Sequence, residues 1–102
     1  MTLRILPEAD GEVITAAEWY DARRPGLGDE FLDEVEQAYQ AFRLQALAGA
    51  PLEYYSGRHV IRRVLLRRFP YAVIALVRDT EILIVAVAHT HRRPLYWAAR
   101  LG

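Results

Sequence analysis

HTHRRPLYW, residues 89–97, places two histidines, two arginines and a tyrosine within nine positions. Side chains of these types could do general acid–base chemistry beside a bound anion. His89 or His91 could move a proton, because imidazole titrates near neutrality. Arg92 could hold an anion, and Tyr96 carries a hydroxyl donor. The plainer alternative is a structural tail in which Tyr96 and Trp97 anchor packing. His89 and His91 would share one strand face and could chelate zinc together. No third ligand is nearby, His59 is remote and the chain has no cysteine, so neither a metal nor another cofactor is expected.

A second set of residues raises a related question. In HVIRRVLLRRFPYAVIALV, residues 59–77, arginine pairs interrupt a run that otherwise looks like buried β-structure. With Arg58, the series Arg62, Arg63, Arg67, Arg68 contains no acid. Neighbours on a strand point to opposite faces, so neither pair could grip one phosphate from an ideal strand. One member of each pair is expected to face solvent or the acids elsewhere, and the other could line an open sheet face. All thirteen basic residues are arginine, which suits bidentate carboxylate or phosphate contacts but also follows from coding bias. The charges are segregated. Residues 8–36 hold ten acids against Arg23 and Arg24, a balance of −8, and residues 54–102 hold nine arginines against Asp79 and Glu81, a balance of +7. One basic working face is one reading; salt bridges between sheet and acidic helices are the other. The net charge is zero, so the whole chain is not a polyanion binder.

These residues need a scaffold. At 102 residues, with 53% hydrophobic and 25% charged, the chain has the composition of one globular domain, residues 1–102. No apolar run reaches the ~18 residues of a membrane helix. The start, MTLRILPEAD, is too short in apolar residues for a signal peptide, so no membrane partner and a cytoplasmic location are expected. Thr2–Leu6 alternates as a short strand. Pro7 and the acids after it suit a helix start, and Val13, Ala16, Ala17 and Tyr20 continue that helix to about Arg23. Pro25, Gly26 and Gly28 break it. Phe31, Leu32, Val35, Ala38, Tyr39 and Phe42 form the stripe of a second helix, expected to end near Gly49-Ala50-Pro51. Trp19 and Tyr20 cannot share one helix face. Tyr54 and Tyr55 could stack on a base or cover the core edge. Three strands follow, Val60–Phe69, Tyr71–Arg78 and Glu81–Ala88, and the continuously apolar third is expected to be central. The fold class is α+β: βααβββ, an antiparallel helical hairpin packed on one mainly antiparallel sheet.

EWYDARRPGLGDEFLDEVEQA (18–38), IRRVLLRRFPYAVIALV (61–77) and ILIVAVAHTHRRPLYW (82–97) together resemble the RelE/ParE toxin superfamily of bacterial type II toxin–antitoxin systems. The ParE-like branch, often labelled plasmid stabilisation proteins, is the nearer. The resemblance implies the same hairpin-on-sheet fold and a toxin neutralised by a cognate antitoxin. RelE-type toxins cut mRNA in the ribosome, and ParE-type toxins poison DNA gyrase. Carried onto this chain, the cleaving pattern finds Arg63 and Tyr96 in place. It finds Leu65, Ala72 and Thr90 where basic residues belong. The resemblance therefore implies gyrase inhibition first, with no enzymatic activity. The alternative is a ribosome-dependent, metal-independent mRNA endonuclease using Arg63, His89, Arg92 and Tyr96. A degenerate toxin that only binds its antitoxin is a third reading. Contacts to antitoxin or target are expected from Arg62, Arg63, Arg67, Arg68, Arg92, Arg93 and Trp97.

Overall fold

The computed structural model describes residues 1–52, 55 and 57–101, so Tyr54 lies outside the described residues. The chain opens with strand β1, Thr2–Ile5, and enters helix α1, Pro7–Arg23, at the expected proline. Proline at that position has its φ already set for a helix, and Glu8 and Asp10 occupy the first turn, where the helix dipole favours negative charge. Helix α2 runs over Leu27–Leu44. Asp21 of α1 accepts the Gly28 N–H at 2.7 Å, giving a partner to one of the donors that the first turn leaves unpaired. A Cβ at Gly28 would stand 2.5 Å from the Ala17 carbonyl oxygen, so glycine allows the close approach of the two helices.

Helix α2 covers its apolar stripe but stops short of the end expected near Gly49-Ala50-Pro51. The chain turns after Leu44, with the Ala48 N–H bonded to the Gln45 carbonyl at 2.9 Å. Gly49, at φ 68°, then leads into a two-residue strand β2, Ala50–Pro51. This strand was not expected. Two residues carry no periodicity, and proline is tolerated only because the strand is an edge. Strands β3 (Val60–Leu65), β4 (Tyr71–Val77) and β5 (Glu81–His89) follow. The order is β1-β5-β4-β3-β2, antiparallel except for the parallel β1–β5 pair. The α+β hairpin-on-sheet architecture is as expected, with β2 added. Strand β5 is interior, and Ile82–Ala88 is buried throughout.

Two expectations need correction. Strand β3 does not reach Phe69, because the Leu66 N–H already bonds the Tyr71 carbonyl at 2.9 Å and closes the turn. Arg67 and Arg68 therefore sit in a turn, not on a strand. The sheet face away from the helices is also not open. The helices cover one face through Val13, Phe31, Val35 and Phe42 against Val73, Ile82, Ile84 and Val87. On the other face Ile61, Ile74, Leu76, Leu83 and Val85 are covered by Tyr55 and by the C-terminal segment, with Leu95, Trp97 and Leu101. That segment ends in a 3-10 turn, Ala98–Leu101. Among the described residues, no helix is long and apolar enough to cross a membrane.

Candidate functional site

Helix α1 buries Ala9, Val13 and Ala16 and leaves a second stripe uncovered. Glu8, Gly11, Glu12, Thr15 and Trp19 follow each other at helical spacing along one wall of a groove of 860 Å³. The opposite wall is Val87, His89, Arg92 and Tyr96, and the end near the turn is Tyr20, Pro70 and Tyr71. Trp19 is 52% exposed with the Arg23 guanidinium 3.6 Å above its ring, whereas Tyr20 turns inward onto Phe31 and Phe69. The split predicted for this pair of neighbours is observed.

The groove exists because β5 outruns its neighbour. Pairing with β1 ends at Ile5 opposite Ile84, and the Leu6 N–H bonds the Ile84 carbonyl at 3.0 Å before the chain leaves into α1. Just there the β4–β5 register shifts: Ala75 pairs with Ile84 and Ile74 with Ala86, which leaves Val85 as the bulge. Side chains take over where the strand partner ends. Glu12 accepts the Val87 N–H at 3.0 Å, and Arg100 donates to the Val85 carbonyl at 3.0 Å. Arg100 also grips both Glu12 oxygens, at 3.0 and 3.2 Å, and the Tyr96 hydroxyl donates to Glu12 Oε2.

This arrangement fixes what the candidate residues can do. Burial, reinforced by the bond to Glu12, pushes the Tyr96 phenol well above its ordinary value. The phenol keeps its proton and already donates it to the Glu12 carboxylate. The Arg92 guanidinium lies 3.9 Å over the Tyr96 ring. His89 meets Tyr71 edge to face at 5.1 Å and accepts the His91 N–H on Nδ1 at 3.1 Å. His89, Arg92 and Tyr96 therefore share one groove. Arg63 does not join them. Val87 and Tyr71 pack with the helices, while Ile61, two residues before Arg63, packs under the tail. Alternation puts Arg63 on that second face, two strands away from His89. Leu65 is 53% exposed and Ala72 is buried, so the residues standing at those basic positions supply no charge. Glu8 and Glu12 line the groove along with Arg92, which does not build a strongly positive site.

The other arginines divide. Arg62 donates to the carbonyls of Leu47, Ala48 and Gly49 at 2.5, 3.3 and 2.9 Å, tying down the turn after α2. Arg68 pairs with Glu30 at 3.0 Å and Glu34 at 2.8 Å. Both guanidiniums are engaged within the chain. The salt-bridge reading holds for Arg68. Trp97, at 3% exposure, packs onto the sheet face that the tail covers. Arg67, Arg92 and Arg93 are exposed. Glu34 itself is 7% exposed and accepts the Arg67 and Arg68 N–H groups at 2.8 and 3.0 Å. Burial alone raises its carboxyl, but the Arg68 backbone and side-chain bonds and the Arg67 N–H outweigh that and hold it below the ordinary 4.5. Among the described residues, no three His, Cys, Asp or Glu are placed to hold a metal.

Glu12 and Glu34 were not singled out from sequence. The available signal for Glu12 was its place in the stripe Glu8, Glu12, Thr15, Trp19, which the core of α1 does not use.

No family model matches the chain. No curated protein matches it. Among solved structures it is similar to a chain described as "Chromosomal ParDE TA system from P. aeruginosa", with a TM-score of 0.75, 21% identity, and coverage of 87% of this chain and 95% of that one. At this identity the likeness is one of fold, and it agrees with the architecture expected from the resemblance.

Proposed function

We propose that the chain is a ParE-like toxin of a type II toxin–antitoxin pair, acting in the cytoplasm on DNA gyrase through protein contacts and neutralised by a cognate antitoxin. The observation that carries this reading is the make-up of the groove. Its walls are largely aromatic and apolar, two carboxylates line it together with Arg92, and its tyrosine is already bonded to Glu12. A phosphodiester-cleaving site needs converging cations and an available acid and base, whereas a docking site for protein side chains needs an apolar floor with a few placed charges. The fold shared with a chain of a ParDE system supports the same direction. On this reading no cofactor and no catalytic residue is required. Purified chain added to gyrase is expected to block supercoiling or trap cleaved DNA and to leave a translating extract untouched. Site-specific mRNA cuts with gyrase unaffected would reverse the assignment. Inhibition of neither, with an antitoxin still bound, would leave a binding module.

A second reading is kept by one observation: His89, Arg92 and Tyr96 line the same groove. As a ribosome-dependent mRNA endonuclease, the chain would use these three without Arg63. Tyr96→Phe separates the readings. It is expected to preserve gyrase inhibition, and a loss of mRNA cleavage by at least about a hundredfold would instead mark a general acid or base.

A further inference from the structure

The Glu12 carboxylate is met by two separated parts of the chain: the Val87 N–H of β5, and the C-terminal segment through the Tyr96 hydroxyl and both terminal nitrogens of Arg100. Beyond Arg92, the tail's own backbone bonds are local. Tyr96 bonds back to Arg93, Ala98 to Leu95 and Arg100 to Trp97, at 3.3, 2.9 and 2.9 Å. Among the described residues, its polar links to the rest of the molecule run through Tyr96 and Arg100, and three of their four bonds end on Glu12. Leu95 holds φ at 62°, a sparsely populated conformation for a bulky residue that persists only where the surroundings impose it. Beneath the tail lies the apolar sheet face of Ile74, Leu76, Leu83 and Val85.

We propose that Glu12 is a positioning residue that latches the C-terminal segment as a separately opening strap, and that a cation entering the groove competes with Arg100 for it. Releasing the latch frees residues 93–101 and uncovers the apolar face beneath, while the hairpin and the strands stay folded. The placement of Glu12 supports the coupling: the same side chain lines the groove and holds the strap. The inference does not depend on whether the target is gyrase or mRNA, because its test reads the strap directly.

The test is hydrogen exchange on the full chain. Glu12→Gln keeps the shape and an acceptor for Val87 but removes the charge that Arg100 grips. The Ala98 and Arg100 amides are expected to exchange at least about tenfold faster, with those of Val73 and Leu76 in β4 unchanged. Arg100→Gln releases the latch from the other side and is expected to give the same pattern. In a Trp19→Phe background, Trp97 emission should shift to the red in both variants. Unchanged tail amides overturn the proposal. So does equal acceleration of tail and β4, or failure of both variants to fold, since the tail would then be part of one cooperative core. Thr15→Arg sets a guanidinium one turn along the same wall. It is expected to speed the tail amides relative to Thr15→Gln, and equal rates in that pair overturn the coupling to the groove.

Discussion

Single side chains decide which of the chain's many charges matter. The series from Arg58 to Arg68 looks uniform, yet its members have different tasks. Arg62 caps three carbonyls at the end of the turn after α2, Arg68 binds two acids of α2, and Arg63 stands on the face away from the groove. Sequence could supply the alternation that separates Arg62 from Arg63. It could not show that β3 ends at Leu65, which removes Arg67 and Arg68 from the strand. Glu34 gives the clearest prediction at this scale. Its carboxyl sits below the ordinary 4.5 in the folded chain. A carboxylate with a depressed folded value stabilises above the unfolded value and loses that contribution as pH falls through the folded one. Wild-type stability should therefore decline below about pH 4.5 in part through Glu34. Glu34→Gln should lower stability at pH 7 by about 1–3 kcal/mol, because two backbone N–H groups lose a charged acceptor. It should also flatten the acid limb of a plot of denaturation midpoint against pH. An unchanged acid limb would mean that other carboxylates carry it. On β3, Arg63→Ala should leave the fold and the groove intact and gyrase inhibition unchanged, as measured beside Tyr96→Phe.

The elements were the most legible part of the sequence, and each has a local cause. Pro7 and the acids after it start α1, the Phe31–Phe42 stripe makes α2, and the unbroken run in β5 marks an interior strand. What stayed hidden was set by tertiary contacts. Strand β2 forms because Ala50 and Pro51 meet Arg63 and Arg62, and the tail covers a face that strand alternation alone leaves open. The groove was half legible: His89, Arg92 and Tyr96 lie close in sequence, but nothing in sequence brings Glu12 to them across 84 positions. Two glycines of the hairpin test this scale in opposite directions. A Cβ at Gly11 would meet nothing within 4 Å, yet glycine in a helix interior costs roughly 0.5–1 kcal/mol relative to alanine. Gly11→Ala should raise the melting temperature, and because Gly11 lines the groove it should weaken any partner docked there. Gly28→Ala should lower the melting temperature, because its new methyl meets the Ala17 carbonyl. Equal shifts in both variants would show that helix propensity, not helix approach, governs the hairpin.

The whole molecule is organised around β5 and the way its outer side is kept from pairing with anything else. An exposed strand edge is a template for association with another chain. Here the first half of that side is covered by β1 and the second half by Glu12 and Arg100, so one strand is protected by two unlike devices. The charge segregation seen in the sequence serves this partly: Glu12 with Arg100 and Glu34 with Arg68 join the acidic helices to the basic half. Position 4 can separate the ladder from the charge. Arg4 pairs with Glu81 at 2.6 Å but is 55% exposed, and an exposed pair contributes about 0–1 kcal/mol. Its backbone matters more. The Thr2 and Leu6 N–H groups bond Thr80 and Ile84 of the β5 side, so Arg4, midway between them, presents its own N–H to the same side. Arg4→Ala removes only the ion pair and should keep the wild-type association state and near wild-type stability. Arg4→Pro removes a ladder donor and should strip β1 from the sheet, exposing the β5 edge from Ile82 to Ile84. Size-exclusion chromatography and light scattering at matched concentration would compare the two. Oligomers or precipitate with Arg4→Pro alone would place the protection in the ladder. The same behaviour from Arg4→Ala would place it in the charge, and the wild-type association state from both would mean that the Glu12–Arg100 clasp alone keeps the edge closed.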